Sequence, residues 1–74
     1  MCNSLHYKMT KKEIGQKIRD RRKFLKITQK DFSEIVGLSL RNFVDIENGK
    51  ANPTLDALQK ITDALGLEII IKVD

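Results

Sequence analysis

The 74-residue sequence predicts a mainly α fold, a compact bundle of four short helices followed by a C-terminal β-strand that pairs across a dimer. Three observations predict it. Apolar residues recur every three or four positions in four separate segments. Each segment follows a Thr or Ser whose hydroxyl can accept from a free first-turn amide. After Gly66 the apolar period drops to two, the period of a strand.

Residues 1–9 carry no strong helical period and are expected to be a flexible N-terminal segment. Thr10-Lys11-Lys12-Glu13 then matches a capping box, in which hydroxyl and carboxylate satisfy each other's backbone amides. Ile14, Ile18 and Leu25 fall on one face of this first helix, with Phe24 beside them. Thr28-Gln29-Lys30-Asp31 repeats the signal with a first-turn acid, and Phe32, Ile35 and Val36 are expected to form the buried face. Gly37 ends the second helix and Leu38 follows as an apolar plug.

Ser39 can cap a third helix that points Phe43 and Ile46 inward and closes at Asn48-Gly49. Pro53 cannot lie inside a helix, so Thr54 starts the fourth, with Leu55, Leu58, Ile61 and Leu65 in helical period. Gly66 stops it. In the last segment Leu67, Ile69, Ile71 and Val73 face one way, and Glu68, Lys72 and Asp74 the other, with Ile70 the exception. The expected organisation is therefore 1–9 as lead-in, 10–66 as the helical domain and 67–74 as a dimerisation strand.

Composition narrows the function. The length allows one small domain, whose core is marginal without tight packing or a second subunit. Fourteen Lys and Arg against ten Asp and Glu give a formal net charge of +4, which suits a polyanionic partner. Cys2 is the one cysteine, so no disulfide can form within the chain; that fits a reducing cytoplasm. His6 is equally alone, no metal-ligand spacing occurs, and no cofactor is expected. There is no paired nucleophile and no glycine-rich phosphate loop, so an enzyme is not expected. No apolar run approaches the roughly 20 residues of a membrane span, and no signal pattern opens the chain.

With Phe43 and Ile46 buried, helical geometry turns Leu40, Arg41, Val44 and Asp45 outward or toward the rim. Side chains at the start of such a helix can read base edges in a major groove. Arg41 is the leading candidate, because its planar fork can donate twice to a guanine. Leu40 could pack on a thymine methyl, and Asp45 could accept from a cytosine or orient Arg41 across one turn. Gln29, Ser39, Asn42, Lys50 and Asn52 are short or flexible donors near helix starts and turns, where phosphate contacts arise. The basic cluster from Lys11 to Lys23 wraps around the first helix, so at most part of it can face one duplex.

From Ile14 to Leu67 the sequence resembles the Cro/cI-type, or XRE, helix-turn-helix family. The resemblance rests on Ile14-Gly15-Gln16-Lys17-Ile18-Arg19, Thr28-Gln29-Lys30-Asp31-Phe32, Gly37-Leu38-Ser39, Ile46-Glu47-Asn48-Gly49-Lys50 and Pro53-Thr54-Leu55. It implies a lambda-repressor-like bundle, with a phosphate contact at Gln29 and base contacts at Leu40, Arg41 and Asp45. It also implies an ion pair between Arg22 and Glu47 that ties the first helix to the third. Ser33 stands where the family usually has alanine, so its hydroxyl must find a partner or stay near the surface. Leu40 stands where many relatives carry a polar reader.

The C-terminal segment most resembles that of HipB-like antitoxins, whose short strand pairs with its twin in a second subunit. That likeness implies a homodimer joined through Leu67, Ile69, Ile70, Ile71 and Val73. It also implies repression of the protein's own operon beside a HipA-like kinase toxin. A lone strand of isoleucines leaves its edges and apolar face unsatisfied, and two-fold pairing answers both. The alternative is that the strand packs on its own helices. The expected function is a cytoplasmic, sequence-specific repressor that binds a palindromic operator in double-stranded DNA, with no membrane partner. The terminal strand and the absence of a further regulatory domain are the features expected to distinguish it from a phage-type repressor. A module that mainly restrains a kinase-like toxin is the other reading.

Overall fold

Each helix of this chain begins on a side-chain hydroxyl and ends on the same backbone motif. The computed structural model describes residues 10–70. Within them α1 spans Lys11–Phe24, α2 Gln29–Val36, α3 Leu40–Glu47 and α4 Leu55–Leu65. Thr10, Thr28, Ser39 and Thr54 hold extended backbone conformations, and their hydroxyls accept from the amides of Glu13, Asp31, Asn42 and Ala57. At α1 the Glu13 carboxylate also accepts from the Thr10 amide at 2.8 Å, completing the capping box.

The four C-termini share one solution. A residue with positive φ comes just past the helix, and the amide of the next residue reaches back five positions to a carbonyl in the helix's last turn. Gly37-Leu38 does this for α2, with Leu38 N–H on the Ser33 carbonyl at 2.9 Å. Gly66-Leu67 does it for α4, with Leu67 N–H on the Thr62 carbonyl at 2.8 Å. Gly49-Lys50 closes α3 the same way, and Lys26-Ile27 closes α1 with Lys26 at φ 60°.

The core is Ile18, Phe32, Val36, Phe43, Ile46, Ile61 and Leu65, one or more from every helix. Phe32 and Phe43 meet at its centre with ring centroids 5.1 Å apart, planes tilted by 46°. Ile27, Leu38 and Leu67, the residues after the positive-φ positions, pack against it from three helix ends. At Gly15 the α1 backbone crosses the end of α3 so closely that a Cβ would collide with the Ile46 and Glu47 carbonyls. Close packing of α1 on α3 matters because α3 carries the exposed candidate readers.

Several sequence expectations need correction. Ile35 is 62% exposed, not part of the buried face: α2 turns Phe32, Ser33 and Val36 inward, and Ile35 lies on its outer side. Phe24 is 72% exposed and Leu25 lies beyond the helix end, so the apolar stripe of α1 is carried inward by Ile14 and Ile18. Leu55, in the first turn of α4, is also exposed. Ser33 is buried, and its hydroxyl donates to the Lys30 carbonyl at 2.7 Å, so its polarity is satisfied within the helix.

The C-terminal β-strand is not found. Among the described residues there is none. Leu67 is instead part of the α4 end motif, with its amide held by Thr62 and its side chain on the core. Ile69 and Ile70 follow with exposed side chains. Ile71 and Val73, like the lead-in 1–9, lie outside the described residues.

Candidate nucleic-acid interface

Only Gly37, Leu38 and Ser39 separate α2 from α3. The Gly37 turn and the Ser39 cap fix where α3 starts, while Phe43 and Ile46 anchor its inner face. The first turn of α3 consequently points Leu40, Arg41 and Asn42 into solvent, and Val44 and Asp45 sit half-buried at its sides. Ser39 is exposed, and its hydroxyl takes the Asn42 amide at 3.1 Å. Lys50 and Asn52 are exposed in the loop between α3 and α4.

Asp45 does not pair with Arg41: among the described residues the ion pairs all belong to Glu47. The Asp45 carbonyl instead accepts from the Lys50 and Ala51 amides at 2.8 and 3.3 Å, which folds the loop back onto α3. Arg41 is therefore left as a free guanidinium at the edge of an exposed helical turn.

Beneath this surface lies a buried polar cluster. Glu47, 3% exposed, accepts from Arg22 twice, Nε to Oε2 at 2.6 Å and Nη2 to Oε1 at 3.1 Å. The third Arg22 nitrogen, Nη1, donates to the Ile27 carbonyl at 2.7 Å. Gln29 Nε2 donates to Glu47 Oε1 at 2.9 Å. Arg19 Nε stands 3.6 Å from the same oxygen, and its Nη2 donates to Asn48 Oδ1 at 2.8 Å. One carboxylate thus joins α1, the first residue of α2 and the last of α3.

The cluster brings together Arg22, Glu47 and Gln29 from the sequence candidates and adds Arg19, from the basic cluster of the first helix, and Asn48, from the turn that closes the third. The available signal was that Arg19 stands one turn before Arg22 on the same helix. Gln29 was expected only as a phosphate donor; half-buried, it also supports Glu47. Among the described residues no group of three or more His, Cys, Asp or Glu could hold a metal, and no helix is long and apolar enough to cross a membrane.

A helix-turn-helix family model, HTH_3, matches residues 18–71. The chain belongs to the helix-turn-helix family. An immunity repressor of Bacillus phage phi105 is 38% identical over 76% of this chain and 39% of its own length. The CTXphi transcriptional repressor RstR of Vibrio cholerae is 33% identical over 77% of this chain and 51% of its own. This chain therefore spans about half or less of those two repressors. An HTH-type transcriptional regulator of Methanothermobacter thermautotrophicus is 38% identical, matched over 72% of this chain and 77% of its own.

Among solved structures, the restriction-modification controller protein C.AhdI from Aeromonas hydrophila superposes with a TM-score of 0.74 at 26% identity, covering 78% of this chain and 88% of that one. The clp gene regulator ClgR from Corynebacterium glutamicum gives a TM-score of 0.77 at 18% identity over 89% and 85%, a likeness of fold alone. In the helix-turn-helix arrangement the second helix of the motif lies in the major groove with its N-terminal residues at base edges. In this chain the second helix of the motif is α3, and its first turn carries Leu40, Arg41 and Asn42.

Proposed function

We propose that this helix-turn-helix protein is a sequence-specific, duplex-DNA-binding transcriptional repressor. The observation that carries the reading is the first turn of α3. It presents an unpaired Arg41 beside Leu40 and Asn42, on a helix whose other end is locked by the buried Glu47 cluster. Arg41 supplies the bidentate guanine contact, Leu40 the thymine-methyl contact, and Asp45 an acceptor one turn on. Gln29, Ser39, Asn42, Lys50 and Asn52 hold phosphates on either side. The formal charge of +4 favours approach to DNA. The phage repressors that the chain resembles support repression rather than activation.

The proposed active form is a homodimer on a palindromic operator. Support comes from an open apolar trough walled by α1, α4 and the chain after Gly66. Phe24, 72% exposed, and Ile70, 69% exposed, stand along it. Pairing of the segments from Leu67 to Val73 about a two-fold axis would cover these residues and set two α3 helices at successive major grooves.

The biological setting proposed for this dimer is autoregulation of a HipBA-like toxin–antitoxin operon in the cytoplasm, with a HipA-like kinase as second partner. The similarity to two phage repressors favours one competing setting, control of a phage-type lysogeny region. Selection of bound duplexes from a random-sequence pool tests the core of the reading. A repressor of this type enriches one palindrome with guanines at symmetric positions. Recovery of duplexes with no common sequence would remove sequence-specific reading.

A further inference from the structure

We propose that Glu47 is a positioning residue for DNA docking: it holds the Gln29 amide so that the second N–H of that amide faces a backbone phosphate at the start of α2. The inference rests on the DNA-binding reading above and deepens it.

Glu47 Oε1 takes one hydrogen from Gln29 Nε2, at 2.9 Å. A primary amide carries two, and the second lies in the same plane, about 120° away. Gln29 is half-buried, so its side chain sits between the buried carboxylate and solvent. The side chain has three rotatable bonds that a phosphate contact would otherwise have to freeze on binding. In this structure the bond to Glu47 has already frozen them. Glu47 is held in turn by the two hydrogen bonds from Arg22, so the direction of the Gln29 amide is set by the α1–α3 contact.

The surroundings suit an anion. Two guanidiniums, Arg22 and Arg19, share one carboxylate, so the cluster keeps one net positive charge (two minus one) beside the start of α2. The Thr28 hydroxyl is taken by the Asp31 amide and the Thr28 carbonyl by the Phe32 amide. That leaves the Gln29 and Lys30 amides without a protein acceptor among the described residues. Asp31, the acid of the same first turn, is exposed to solvent.

The test is a double-mutant cycle on Gln29→Met and Glu47→Gln, read with a mixed-sequence DNA duplex at low salt, because phosphate contacts are independent of sequence. Gln29→Met is expected to lower duplex affinity about fivefold and to lower Tm less than Glu47→Gln does, since Glu47 keeps both Arg22 hydrogen bonds. Glu47→Gln is expected to lower affinity similarly and Tm as well. The double variant should bind no more weakly than the worse single one.

Independent losses that multiply, or a Gln29→Met chain that binds as well as wild type, would overturn the assignment. If Glu47→Gln fails to fold, wild-type amide NMR decides: one Gln29 Nε2 proton shifted downfield in the free protein, the other shifting when duplex is added. Two Gln29 Nε2 proton signals at the positions of a fully solvated glutamine amide in the absence of DNA would overturn it. A wild-type chain that ignores duplex altogether would instead remove the DNA-binding reading, and this assignment with it.

Discussion

Arg22 meets Glu47 with both faces of its fork, at 2.6 and 3.1 Å, and no water-exposed path separates them: the Glu47 side chain has no accessible surface and that of Arg22 has 8%. The pair joins the last turn of α1 to the last residue of α3. Burying two charges is costly, and the remaining donors and acceptors are satisfied by Ile27 and Gln29, as such a pair requires. Removing one partner leaves the other buried and uncompensated. Arg22→Met is expected to destabilise the fold by about 3–5 kcal/mol in denaturant unfolding. A loss below about 1 kcal/mol would show that the pair is a surface contact in solution.

Gly15 is required for α1 to approach α3. A methyl there has no room against the Ile46 and Glu47 carbonyls, which are backbone and cannot rotate aside. Gly15→Ala should gain helix propensity yet lose stability overall, by about 1–3 kcal/mol, as measured by Tm. A stabilised Gly15→Ala chain would contradict the close crossing.

Lys26 offers the opposite case. It holds φ 60° at the end of α1, a position that glycine fills in the other three helices. Its amide bonds to Lys23 and that of Ile27 to Arg22, so the backbone cannot relax without losing both bonds. Lys26→Gly is expected to raise stability by roughly 1 kcal/mol, since a left-handed side-chain-bearing residue is strained by about that much. Thermal unfolding of the two chains checks it.

The capping box at Thr10 gives a pH dependence. Hydrogen bonds from the Thr10 amide and hydroxyl, with the nearby Lys17 charge, hold the Glu13 carboxyl below its ordinary value. A carboxyl lowered in the folded state stabilises above its unfolded value. That contribution is lost as pH falls through the lowered folded value. The Glu13 carboxyl, followed by NMR titration, should therefore titrate at lower pH in the folded chain than in a Glu13-containing peptide. Glu13→Gln should flatten this part of the stability profile; an unchanged profile would contradict the box.

Much of this architecture was legible because it is local. A hydroxyl before an apolar period and a glycine after it are contact rules within four residues, and three of the helix ends were read from them. The α1 end was not, because lysine there gives no signal for a left-handed turn. Ile35 and Phe24 were misplaced for a different reason: a short helix buries a narrow stripe, and which side faces in depends on α3 and α4. The Arg22–Glu47 pair came from family resemblance alone, since 25 residues separate its members. The Gln29 bond to Glu47 was invisible, as nothing local links the first residue of α2 to the last of α3.

The trough beside Phe24 leads to a test of assembly. A chain shortened by residues 69–74 should sediment as a monomer at concentrations where the full chain is a dimer. A dimer that survives the deletion would place the interface elsewhere.

Salt should weaken duplex binding steeply, because the phosphate contacts release counterions. Replacing Lys50 by alanine should lower the slope of log affinity against log salt by about one. An unchanged slope would remove Lys50 from the phosphate contacts.

The most direct test of base reading by α3 is Arg41→Ala on the palindrome recovered by selection, with Tm measured beside it. Arg41 is exposed and has no ion-pair partner among the described residues, so the unfolding free energy should stay within about 0.5 kcal/mol of wild type. Affinity for the palindrome should fall by about 1–3 kcal/mol per half-site, while affinity for unrelated duplex changes little. An Arg41→Ala chain that keeps wild-type discrimination between the two duplexes would contradict base reading by the first turn of α3.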